Sequence, residues 1–482
     1  MLTSSTLQCD ETTPICQRCT KSRRICLGTD TANEICFSIN VENSFASGKS
    51  KRPRGPRSTL TLMRPHFDLQ TRATAYFVRY HLQELSVTPS ITGGLFECVS
   101  AWKYSGRTCP QVDSTLGCLA LAVYSRTQNH LGAARAASST YYTALKLSQS
   151  QIARMDSRTI TEGYIDACLL SSFLMGRYEG TTQCLIPEPE KSFINSRNWS
   201  HYDGILAILK IWHEKMGQQT PSTIVKYIRR QLRKFFLLRD LPLPDWILDG
   251  GAFGETGQEL EYDHILVELV NLRYETLLLS SRNCCMLSNA GSYYAQASRL
   301  ERALVAWIGQ VPGSYQCQNL SKPYQLPLKH FYSPEIYTYT SIGNAAIWLE
   351  YFATRMLIVS VKLRLLDTCA TGTPYMEQRT ECVNILKDMG SGIASTVPFC
   401  LERISMVGGV PVLSIGSKAA DRNAQIKPYL SSTLIWPLTV GSSLECNNVE
   451  QKQWFKSELA AIGSNIGDGL LEHAGTDQWI TL

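Results

Sequence analysis

The sequence predicts an all-α fold for most of its length. Three observations carry that prediction. From about residue 68 onward apolar residues step by three and four, alternating strand-like runs between tight turn signals are scarce, and no short repeat is visible. Phe455, Leu459, Ile462, Ile466 and Leu470 share one helical face on this spacing. So do Ile347, Tyr351, Ile358, Val361 and Leu365, and likewise Tyr262, Ile265, Leu269 and Leu272. Roughly a dozen helices are expected.

Bulk properties agree with a globular chain. With 482 residues, 44% of them hydrophobic and 18% charged, the chain is long enough to bury one or more large cores. Its 32 Gly and 20 Pro are too few for a collagen-like or low-complexity protein, and its apolar share is too high for disorder throughout. The most apolar stretch, Ala345 to Leu366, is interrupted by Glu350, Arg355, Lys362 and Arg364, so no membrane span is expected. The opening MLTSSTLQCDE lacks the basic start and apolar centre of a secretory signal. The 17 cysteines are therefore read as reduced thiols or metal ligands in an intracellular protein.

The first element is residues 1–27. Four cysteines fall in the order Cys9-x6-Cys16-x2-Cys19-x6-Cys26, with the other thirteen scattered. A C-x2-C turn lets two thiolates from one short loop reach the same zinc ion, at about 2.3 Å each. Cys9 and Cys26 sit on six-residue arms that can bring further sulfur to that ion or to a neighbouring one. Arg18, Lys21, Arg23 and Arg24 lie among these cysteines, where their charge offsets the thiolates and can reach phosphate oxygens. Residues 1–57 hold +4 of the formal net charge of +6, which leaves the remainder near neutral. A local basic excess favours polyanions such as nucleic acid.

The segment Cys9-DETTPI-Cys16-QR-Cys19-TKSRRI-Cys26 resembles the second half of the fungal binuclear zinc-cluster DNA-binding domain, whose six cysteines are spaced C-x2-C-x6-C-x5–12-C-x2-C-x6–8-C. By motif order Cys9, Cys16, Cys19 and Cys26 match the third to sixth cysteines, and the resemblance implies that Cys16 bridges two zinc ions. The opening C-x2-C-x6-C, with the basic helix that enters the DNA major groove, has no counterpart before Cys9. As it stands, the motif supplies at most one four-thiolate zinc. A start placed too far downstream is the favoured explanation, and true loss of DNA binding is the competing one.

Residues 28–67 form a polar, basic linker. Lys49, Lys51, Arg52, Arg54 and Arg57 are interspersed with Pro53, Gly55 and Pro56, which oppose helix formation and keep the run extended. Beside the cysteine motif this run is read as a nuclear localisation signal, the alternatives being a phosphate-contacting arm or a plain spacer.

The helical part, residues 68–482, carries further local patterns similar to the regulatory region of the same factors. They are AARAASSTYYTALKLSQSQI (133–152), NWSHYDGILAIL (198–209), IASTVPF (393–399), LIWPL (434–438) and AIGSNIGDGLLEHA (461–474). The resemblance implies a large all-α regulatory domain without catalytic duty, preceded by a truncated zinc-cluster module and a basic linker. It further implies a zinc-dependent, sequence-specific transcription regulator acting at RNA polymerase II promoters in a fungal nucleus. Its partners would be double-stranded DNA, if the upstream half of the cluster exists, and the transcription machinery or co-regulators. The alternative is a helical protein-interaction regulator that has lost DNA binding. A homodimer stays open: many members of the family dimerise through a coiled coil after the linker, but residues 58–90 show no sustained heptad and contain Pro65 and Pro89.

No catalytic constellation is visible. The chain has no G-x-S-x-G, H-E-x-x-H or G-x4-G-K-[ST] motif, so an enzyme is not expected. Gly250-Gly-Ala-Phe-Gly254 is read as a loop, Trp199 and His201 as packing and capping residues with no partner to orient the histidine, and Cys284 and Cys285 as buried thiols. His213 and Glu214 lack a second histidine, and Trp436 and Pro437 are read as a helix-breaking core element.

Overall fold

A computed structural model describes Lys21 and residues 67–85, 91, 94–153, 160–182, 199–281, 290–313, 316–321, 330–369, 373–407, 410–413, 427–477 and 479–482. Tertiary contacts divide the chain into Met1–His66 and Phe67–Leu482. In the second unit the described residues are overwhelmingly helical, and the fold is all-α.

The helices are α1 (Leu69–His81), α2 (Leu95–Tyr104), α3 (Pro110–Thr127), α4 (Leu131–Ile152), α5 (Glu162–Thr182), α6 (Trp199–Met216) and α7 (Thr223–Leu238). There follow α8 (Gly257–Ser281), α9 (Ala290–Gly309), α10 (Ile342–Cys369), α11 (Thr373–Cys400), α12 (Pro428–Ser443), α13 (Val449–Ile466) and the one-turn α14 (Gly469–Glu472). Three short 3-10 turns (Asp245–Ile247, Gly251–Phe253 and His473–Gly475) and two small antiparallel strand pairs complete the described elements. β1 (Gln318–Ser321) pairs with β2 (Glu335–Thr338), Gln318 opposite Thr338, and β3 (Ile404–Val407) pairs with β4 (Val410–Leu413).

Local chemistry sets several helix starts. Asp68 accepts the amide of Thr71 at 2.9 Å, Ser222 that of Val225 at 3.2 Å, and Asn448 those of Glu450 and Gln451. Each satisfies amides that a helix start leaves without a carbonyl. Pro110 and Pro428 occupy first helical positions, where the missing N–H costs nothing.

The core follows from the apolar faces. α3 is flanked by α1, α4 and α5, and α10 by α8, α9, α11 and α12. One continuous cluster of buried side chains runs from Ala73 to Leu482. α5 and α10 are apolar nearly all round, as helices enclosed by neighbours should be. Three of the charges that interrupt α10 are paired inside the protein: Glu301 of α9 accepts from Arg355 at 2.9 Å and from Lys362 at 2.9 Å, and Glu350 accepts from Lys234 at 2.8 Å. Among the described residues no helix is long and apolar enough to cross a membrane.

Two sequence expectations need correction. α13 ends at Ile466, because Gly467 takes a left-handed conformation (φ 73°), so Leu470 belongs to α14 and not to the same helical face. Pro437 does not break a helix: α12 runs through it. Leu434 and Leu438, buried on either side, hold both turns against the core, and that burial offsets the hydrogen bond the proline cannot make.

Candidate functional site

The residues singled out for metal and DNA chemistry fall almost wholly outside the described residues. This holds for Cys9, Cys16, Cys19 and Cys26, for Arg18, Arg23 and Arg24, and for Lys49, Lys51, Arg52, Arg54 and Arg57. Lys21 is described, helical and exposed. Among the described residues no group of three or more His, Cys, Asp and Glu side chains stands in metal-binding proximity. Eight cysteines have described side chains, none of them in a disulfide. Burial pushes the thiols of Cys168 and Cys400 up to about 12 and that of Cys382 up to about 11, so they behave as inert core groups.

The described chemistry concentrates on α7. Its sixteen residues hold five cations, Lys226, Arg229, Arg230, Arg233 and Lys234, and no acid. The counter-charges arrive from the start of α8 and the loop before it. Arg230 clamps Glu255 with its Nε at 2.7 Å and Nη2 at 2.5 Å. Arg229 grips Asp263 through Nη1 at 2.6 Å and Nη2 at 3.0 Å, and spends its Nε and Nη2 on the carbonyls of Ile247 and Leu248 as well. Burial pushes the Asp263 carboxyl up, but Arg233 and Arg229 outweigh it and hold it below the ordinary range.

The glycine-rich run has a structural use here. A Cβ on Gly250 would stand 2.2 Å from Oδ2 of Asp263, a carboxylate pinned by two arginines, so only glycine lets that loop approach. Phe253 packs beneath Arg229, with 5.2 Å from guanidinium carbon to ring centre. The run is a loop with a 3-10 turn at Gly251–Phe253.

Arg233 differs from its two neighbours. It is nearly fully buried (5% exposed), and its one hydrogen bond among the described residues runs from Nη1 to Asp263, already shared with Arg229. Among the described residues its buried Nε has no acceptor and the adjacent Nη2 donates to none. Burial lowers its pKa and Asp263 offsets this only in part, whereas the Glu255 clamp leaves Arg230 above the ordinary arginine value.

Arg230, Arg233 and Lys234 border a cavity of about 390 Å³ enclosed by helices from both ends of the unit. Phe77 and His81 come from α1, Glu97 from α2, Phe173 and Arg177 from α5, and Trp199 and Tyr202 from α6. Glu350 of α10, Trp436 of α12 and Asp468 before α14 close the other side. The rings form a connected wall: Tyr202 stacks on Phe235 at 4.9 Å and 11°, Trp199 lies 5.1 Å from Phe235, and Lys234 sits 4.9 Å from the centre of the Trp436 ring. Burial and the nearby Arg177 hold His81 down at about 3, so it is neutral, and its Nε2 has no hydrogen-bond partner among the described residues. Burial raises Glu97.

His201 is better placed than its sequence suggested. Its Nε2 lies 3.1 Å from the Tyr141 hydroxyl and 3.2 Å from Oε1 of Glu179, and the Tyr141 hydroxyl donates to that same oxygen at 2.6 Å. The partners sit on α4 and α5, which local spacing around His201 does not reveal. The α7 arginines also went unread. Their signal was present, five cations without an acid in one strongly patterned helix, but their partners lie 25 to 34 residues away.

The chain matches no protein-family model, no curated protein and no solved structure.

Proposed function

We propose that the chain is a zinc-dependent transcription regulator, in which a cysteine-rich module contacts DNA and the all-α unit of residues 67–482 serves as its regulatory domain. The observation that carries this reading is the spacing of Cys9, Cys16, Cys19 and Cys26 with basic residues between them, followed by a basic linker. An all-α unit behind such a module, with Arg229, Arg230 and Lys362 held in internal pairs, supports a regulatory rather than a phosphate-binding role for that unit. In this reading the four thiolates hold zinc, and Arg18, Lys21, Arg23 and Arg24 contact phosphates and position the module. The run from Lys49 to Arg57 directs nuclear import. The second reading is a helical interaction protein that no longer reads DNA, and it keeps the same regulatory unit.

Zinc content and DNA binding test both readings together. Elemental analysis of the purified chain is expected to give no more than one zinc per chain, lost in the Cys16→Ser, Cys19→Ser double variant. A form carrying an in-frame C-x2-C-x6-C ahead of Met1 should hold two and shift CGG-containing duplexes selectively in gel titrations. Zinc-loaded protein that binds all duplexes alike, with affinity falling steeply with salt, supports the second reading. Absence of zinc from both forms overturns the first.

A further inference from the structure

Three arginines stand on neighbouring turns of α7, and two have every useful edge occupied. Arg230 places its Nε–Nη2 edge on Glu255, and Arg229 divides its donors between Asp263 and two backbone carbonyls. The same Nε–Nη2 edge of Arg233 has no described acceptor, although the residue is nearly enclosed. Guanidinium edges of this kind pair side-on with a carboxylate, through two parallel hydrogen bonds. A buried donor left unused is costly, so a built site for an acceptor is the economical explanation of its survival.

We propose that the cavity beside α7 binds a small aromatic carboxylic acid, with its carboxylate on the free edge of Arg233 and its ring among Trp199, Tyr202, Phe235 and Trp436.

The aromatic wall fits a flat apolar body, and about 390 Å³ is within the range for small-molecule sites. The charge around the cavity selects a monoanion. Four cations (Arg177, Arg230, Arg233 and Lys234) and three carboxylates (Glu97, Glu350 and Asp468) line it. That leaves a single positive charge on the lining to be met. A dianion such as phosphate would exceed that surplus and meet Asp263 across the same guanidinium. The ligand would touch α6 and α7 on one side and α12 on the other, and so would bias the packing of the two ends of the regulatory unit. This inference does not rest on DNA binding.

Calorimetric titration of the full chain with 2-naphthoate and with its neutral amide, 2-naphthamide, tests it. Saturable one-to-one binding of the acid, at least about tenfold tighter than the amide, is expected, as charge-assisted hydrogen bonds at a buried site would give. Arg233→Gln should bring the acid to within about twofold of the amide while the amide still binds, which shows the cavity intact. Failure of the wild-type chain to bind the acid saturably, or equal affinity for acid and amide, overturns the proposal without any variant. An acid preference kept in folded Arg233→Gln overturns the role of Arg233. None of these outcomes depends on zinc or DNA, so the two proposals fail separately.

Discussion

Asp166 shows what burial does to a single charge. Its carboxylate takes a hydrogen bond from the Ser222 hydroxyl at 2.6 Å, and Arg107 reaches it only at 3.4 Å. Burial lifts its pKa from 3.8 to about 6, and neither partner brings it back. The folded state therefore holds this proton more tightly than the unfolded chain, and stability falls as pH rises through the window from 3.8 to about 6. Asp166→Asn, which keeps an acceptor for Ser222, should gain on the wild type by about 2–3 kcal/mol between pH 4 and pH 7 in urea titrations. A constant difference across that range would refute the assignment. His81 acts in the opposite sense. Held neutral down to about 3, it costs stability as pH falls below 6.5, because the unfolded chain then takes up a proton that the folded one refuses.

At the scale of elements, the turn between α13 and α14 does the most with the fewest residues. Gly467 is left-handed, with Thr127 Cγ2 at 3.1 Å and the Val123 carbonyl at 3.2 Å from where a Cβ would stand. Asp468 then caps α14, accepting from Leu470 and Leu471, and lies 3.6 Å from Arg177. Gly467→Ala should cost about 1–3 kcal/mol in denaturant unfolding, from backbone strain and displacement of α3. A variant as stable as the wild type would show that the turn tolerates a side chain. The same turn marks the limit of what local sequence shows. The face Phe455, Leu459, Ile462 and Ile466 was legible because steps of four, three and four keep to one helical face, and all four residues are buried. Leu470 kept the spacing but not the helix, since a glycine's backbone choice is invisible to an apolar pattern. The faces of α8 and α10 were legible for the same reason, and Pro437 was misread because propensity is local whereas the packing of Leu434 and Leu438 is not. The spacing of Cys9, Cys16, Cys19 and Cys26 is read from sequence alone, since these residues lie outside the described ones. The α7 cavity was not legible there, because the positions of Glu255, Asp263 and Glu350 depend on how three helices cross.

For the whole molecule, residues 67–482 hold a continuous core of their own. Produced without residues 1–66, this segment is expected to keep its helical circular dichroism and to unfold cooperatively. Aggregation or a broad, weakly cooperative melt would show that the first 66 residues contribute to the fold.

The late helices of this unit return to its earliest ones. Arg126 of α3 binds Glu472 of α14 at 2.5 Å, a pair 346 residues apart, and α13 covers α3 while α14 covers α5. During synthesis, α3 and α5 emerge long before α13 and α14, so the flanks those helices shield stay uncovered until they have been made. Completion of this unit therefore waits for α13 and α14, and is slowed by the length of chain that must be looped back. Nascent forms stalled before α13 would be natural clients for chaperones.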